Sequence, residues 1–116
     1  MDTSQYLAEI ESRLMALKAF RGLDSSMPAG QIAFFLNAAK NEGLSISEIS
    51  TRIGANPQTT SRYLKNLSDT VDEFGPGLGL LYSYKNPKNR RQKLVVLTAK
   101  GHAFLKRLKE GKGDVL

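Results

Sequence analysis

The chain contains no cysteine and no tryptophan. Without thiols, no disulfide, thiolate metal site or thiol redox chemistry can be built from these residues. There is one histidine, His102, too few for an imidazole zinc site and with no nucleophile and acid spaced to form a relay around it. No metal, cofactor or catalytic residue is therefore expected, and the chain does not read as an enzyme. No apolar run approaches the roughly 18 residues of a membrane-spanning helix. The first stretch is broken by Asp2, Glu9, Glu11, Arg13 and Lys18, which is not a signal-peptide pattern. A cytoplasmic protein with no membrane partner is expected. Repeats and low-complexity tracts are also absent. Glycines surround Pro76 in FGPGLG, but no Gly-Lys-Ser/Thr ending follows, so a phosphate-binding nucleotide loop is not indicated.

What is present is a domain-sized chain of 116 residues, 41% hydrophobic and 24% charged, which are values of a globular domain with a core. The net charge of +6 is unevenly placed. Residues 1–58 carry five Lys/Arg against six Asp/Glu, whereas residues 59–116 carry twelve against five. A basic second half points towards a polyanionic partner.

The stretch Ser45–Leu67, SISEISTRIGANPQTTSRYLKNL, reads as helix, tight turn, helix. Ser45 and Glu48 have capping-box spacing, with Leu44 and Ile49 placed for a hydrophobic staple. Ile46, Ile49 and Ile53 recur at helical spacing. Gly54 suits a left-handed stop. Asn56 suits an N-cap, and Pro57 the first helical position. In the second helix Thr60, Leu64 and Leu67 share one face, while Gln58, Ser61, Arg62 and Lys65 share the other. The second face offers an amide, a hydroxyl and two cations, side-chain types that contact base edges and phosphates. Two ordinary core helices with a solvated polar face would give the same pattern.

Around this pair, residues 3–20 read as a helix in which Leu7, Ile10, Leu14 and Leu17 form a seam with coiled-coil spacing over two heptads. Such a seam packs on its own core or pairs with a second subunit. Gly22–Gly30 reads as a linker, and residues 29–41 as a packing helix with Ile32, Phe35, Leu36 and Ala39 inward and Phe34 on a flank. Ser68–Gly79 reads as loop rather than strand. Leu80–Tyr84 and Lys93–Leu97 read as a hairpin joined by a long basic tip, KNPKNRRQ. Binding to phosphates would relieve the repulsion among its cations. Thr98 caps a last helix with Phe104, Leu105 and Leu108 on its apolar side, and Gly111–Leu116 is expected to fray.

From Gly79 to Gly101, GLLYSYKNPKNRRQKLVVLTAKG closely resembles the wing of the MarR family of bacterial regulators. The family pattern is G-L-hydrophobic, then D-P-R-D-R-R, a strand and L-T-x-x-G. Asn86, Pro87, Lys88, Asn89, Arg90 and Arg91 stand at D-P-R-D-R-R. Thr59–Arg62, TTSR, resembles the start of that family's recognition helix. The resemblance covers roughly residues 28–105. In two respects the chain departs from it. Asparagine replaces both wing aspartates, which in the family help hold the wing arginines. The segment after Leu108 is short beside the family's C-terminal dimerisation helices.

The resemblance implies a mainly α fold with a small β-hairpin. It comprises a winged helix-turn-helix core (residues 28–98) between an N-terminal dimerisation helix (1–21) and a C-terminal helix and tail (98–116). It also implies a homodimeric, sequence-specific double-stranded-DNA-binding regulator, a repressor on a pseudo-palindromic operator, with an unidentified small-molecule effector possible. The second helix of the pair would enter the major groove, where Gln58 suits adenine and Arg62 guanine. Thr59, Ser61 and Lys65 would accompany them. Arg90 would reach the minor groove, with Lys88, Asn89 and Arg91 along the backbone. Leu7, Ile10, Leu14, Leu17, Phe104 and Leu108 would form the dimer interface, leaning on residues 3–20. The alternative from another class is a winged-helix module that binds protein and touches DNA weakly.

Overall fold

The structure, a computed structural model, describes residues 3–73 and 75–110. A 3₁₀ turn, Thr3–Tyr6, leads into α1 (Leu7–Leu23), followed by α2 (Ala29–Lys40), β1 (Leu44–Ser45), α3 (Ile46–Ile53) and α4 (Pro57–Leu67). The short pair β2 (Val71–Asp72) and β3 (Gly75–Pro76) comes next, then β4 (Leu81–Asn86), β5 (Asn89–Leu97) and α5 (Ala99–Glu110). β1, β5 and β4 form one antiparallel sheet in that order. The arrangement is a winged helix-turn-helix.

The core gathers Phe20, Phe34, Phe35, Ile49, Leu67 and Phe104 with residues of β4 and β5. Its centre is an aromatic trio. Phe20 meets Phe104 at 5.1 Å and Phe35 at 5.8 Å, and Phe35 meets Phe104 at 5.7 Å, all edge to face. This locks α1, α2 and α5 together before any surface chemistry is considered. Gly101, in the first turn of α5, lies against the Leu80 carbonyl so closely that a Cβ there would overlap it.

Several expectations are corrected. The inward row of α2 is Gln31, Phe34, Phe35 and Ala38, while Ile32 and Ala39 are half-buried and Leu36 is exposed. The helix is turned by about one residue, which buries Phe34, Phe35 and Ala38 completely and carries Gln31 inside, where its Oε1 accepts a 2.9 Å hydrogen bond from Asn66 of α4. Helix α1 runs to Leu23, into the expected linker. The FGPGLG region is not all loop, since β2 and β3 pair there. Phe74 and Gly111–Leu116 lie outside the described residues. Phe104, expected at a dimer face, is only 3% exposed and is held in the aromatic trio. Leu108 is half-buried against the same core.

The N-terminal part of α1 stands apart from this core. Residues 4–14 are all exposed, and Leu7, Ile10, Leu14 and Leu17 are each about half exposed, at 47–52%. The Cα radius of gyration, 15.3 Å, exceeds the roughly 13 Å of a compact domain of this length.

Candidate nucleic-acid interface

Helix α3 starts on a complete capping box: the Ser45 hydroxyl accepts from Glu48 N at 3.1 Å, and Ser45 N donates to the Glu48 carboxylate at 3.2 Å. It ends at Gly54, whose φ of 67° is left-handed, the conformation expected for this stop. Two residues later Asn56 caps α4, its Oδ1 accepting from Thr59 N at 2.8 Å, with Pro57 at the first helical position. These bonds all form within a few residues, so local chemistry fixes where each helix starts and where the first one stops. Thr60, Leu64 and Leu67 are buried, which fixes the rotation of α4 about its axis. Gln58, Ser61, Arg62 and Lys65 are consequently exposed together, and Thr59 is half-buried at their edge.

The wing is β4 and β5, paired from Leu81↔Leu97 out to Asn86↔Asn89. The expected long loop is absent: the strands run through most of KNPKNRRQ and are joined at Pro87–Lys88. The two asparagines close the tip. Asn86 Oδ1 accepts from Lys88 N at 3.0 Å, Asn89 Oδ1 from Arg91 N at 3.2 Å, and Asn86 Nδ2 donates to Gln92 Oε1 at 3.0 Å. An amide oxygen thus holds the backbone locally, without a carboxylate. Lys88, Asn89, Arg90 and Arg91 are exposed. Among the described residues, Arg62, Lys65, Lys88, Arg90 and Arg91 make no salt bridge to a carboxylate. The cations of α4 and the wing are therefore available to an outside anion.

Two supports of this surface carried no sequence signal. β1 pairs with β5 through Leu44↔Val95 and Ser45↔Leu94, which ties the start of α3 to the wing. Glu42 accepts from Leu97 N at 2.8 Å and lies 3.6 Å from His102, joining the end of α2 to β5 and α5. Among the described residues, no cluster of three His, Asp or Glu could hold a metal, and no helix is long and apolar enough to cross a membrane.

The family described as winged helix-turn-helix DNA-binding matches residues 38–70. No curated protein matches the chain. Among solved structures, a MarR transcriptional regulator from Methanosarcina mazei Go1 superposes with a TM-score of 0.66 at 21% identity, covering 92% of this chain and 69% of that one. The transcriptional repressor CouR, solved on a 23-mer DNA duplex, gives 0.65 at 24% identity over 93% and 69%. PcaV from Streptomyces coelicolor, solved with its natural ligand, gives 0.62 at 20% identity over 95% and 74%. The fold is MarR-like.

Proposed function

We propose that this protein is a sequence-specific, double-stranded-DNA-binding transcriptional regulator of the MarR type, a cytoplasmic repressor acting as a homodimer on a pseudo-palindromic operator. The observation that carries the reading is the pair of exposed, salt-bridge-free cationic surfaces, α4 and the wing, each fixed by its own local bonds. In this reading α4 lies in the major groove, with Gln58 and Arg62 on base edges. Thr59, Ser61 and Lys65 contact the backbone or a thymine methyl. Arg90 enters the adjacent minor groove, and Lys88, Asn89 and Arg91 follow the phosphates. CouR, a repressor solved on DNA, supports this use of the fold. PcaV, solved with a natural ligand, supports a place for a small-molecule effector.

The exposed first half of α1 supports the homodimer. Isolated helices of this length are marginal in water, and Leu7, Ile10, Leu14 and Leu17 expose one apolar seam. A second copy would cover it. Two-fold symmetry then sets half-sites about 10 bp apart, one turn of the duplex. Selection of bound sequences from a random duplex pool tests DNA binding, specificity and symmetry together. The expected product is a pseudo-palindrome. A single asymmetric block rejects the dimer geometry, and an unenriched pool rejects the regulator in favour of a protein-binding winged helix.

A further inference from the structure

A groove of about 580 Å³ separates the helix pair from the base of the wing. Ser47, Ser50 and Ser61 line its helical side, Arg91 and Lys93 of β5 line the other, and no carboxylate residue lines it. Two features of this groove are costly without an anion. Ser50 is 8% exposed, and its hydroxyl is buried with no hydrogen-bond partner, which is unfavourable wherever it occurs. Lys93 stands directly opposite Lys85 in the β4–β5 register, and like charges facing across a strand pair repel.

The groove also lies where a strand of DNA would have to pass. A helix in the major groove and a wing in the neighbouring minor groove are separated by one sugar–phosphate backbone. That backbone must cross between α4 and β5. We propose that the groove seats one backbone phosphate per half-site, with Lys93 and Arg91 supplying charge and Ser50 and Ser61 supplying hydroxyl donors. Ser50 lines the groove with its hydroxyl unpartnered, which leaves it a donor for an oxygen seated there. The proposal rests on the DNA-binding reading and adds to it Ser50 and Lys93.

The test uses the full chain and its selected duplex, with single phosphates replaced one at a time by neutral methylphosphonate. At one position per half-site, the replacement should weaken wild-type binding by about tenfold, the scale of a lost charge-assisted hydrogen bond. Lys93→Gln should lose less than about threefold at that same position, because its partner there is already gone, and its slope of log K against log salt should fall by about one. Ser50→Ala should reduce the penalty at that position partially. Lys106→Gln, which removes the same charge from exposed α5, should keep the full tenfold effect. If wild-type and Lys93→Gln respond equally at every position, the phosphate seat is refuted while DNA binding stands. If the wild-type chain binds no duplex at any salt, both readings fall.

Discussion

Replacing Phe104 by Ala separates core from interface more sharply than any surface change. Phe104 is 3% exposed and makes two of the three edge-to-face contacts in the aromatic trio, to Phe20 at 5.1 Å and Phe35 at 5.7 Å. Truncating a buried phenylalanine costs about 3–5 kcal/mol, and each lost edge-to-face pair contributes about 0.5–1.5 kcal/mol beyond area. Because the cavity opens where three helices meet and none can collapse alone, the upper part of that range is expected. Domains of this size hold only about 5–15 kcal/mol in total, so the variant should be close to unfolding. The assay is urea denaturation followed by far-UV circular dichroism at two protein concentrations. The lost stability should be the same at both. Leu14→Ala is the contrast: Leu14 is 52% exposed, so any cost there should appear as a stronger dependence of the midpoint on concentration. A loss below about 1 kcal/mol for Phe104→Ala, against the range for core truncations, would refute the assignment to the core. A loss that appears only as dissociation of an intact fold would return Phe104 to an interface.

Further outcomes are expected from the surface. Arg62→Ala should cost about 1–3 kcal/mol on the selected site and relax one base position, whereas Arg90→Ala should weaken selected and random duplexes nearly alike and flatten the salt slope by about one. Salt titrations on both duplexes read the difference, and the opposite pattern would exchange the two roles. Ile10→Asp combined with Leu14→Asp should give monomers in sedimentation with the winged core intact; a persistent dimer would move the interface off α1. Ser45→Ala removes the capping box of α3 and should lower stability by about 0.5–2 kcal/mol, measured by thermal unfolding; an unchanged midpoint would mean that β1 pairing alone sets the start of α3.

The helix pair was legible because its determinants are local. The Ser45–Glu48 box, the left-handed Gly54 and the Asn56 cap all act within four residues, and a linear reading sees that range. Helix α2 was not legible in the same way. Its sequence offers two adjacent apolar rows, and hydrophobicity alone favours the one containing Leu36. What decides between them is tertiary packing of Phe34 and Phe35 in the core, which carries Gln31 inside to accept from Asn66, 35 residues away in sequence. The wing failed for a different reason. Its apolar positions mark strands only at Leu80–Tyr84 and Lys93–Leu97, but Asn86 and Asn89 each bond a backbone N–H two residues on and close a tighter turn. That signal is local but lies in polar residues, which a pattern of apolar alternation does not register. β2 and β3, two residues each, are too short to carry a periodic signal at all.

If the protein acts as proposed, the asparagine brace also bears on why two copies would be needed. An aspartate at either wing position would hold the turn but cancel part of the charge beside Arg90 and Arg91. The amide holds it and leaves every wing cation uncompensated. That raises attraction for any duplex, preferred or random, because phosphates carry no sequence. Discrimination must then come from α4, whose exposed face offers few side chains suited to base contacts, Gln58 and Arg62 chief among them. At about 1–3 kcal/mol each, those two contacts give one copy about 2–6 kcal/mol, which falls short of or only enters the roughly 4–10 kcal/mol that separates specific from nonspecific binding. Two copies on a pseudo-palindrome double the base-reading part. In the proposed reading the exposed seam of α1 and the recognition surface belong together: a single copy with so charged a wing would be held on DNA at large, and a partner on that seam would add the second set of base contacts.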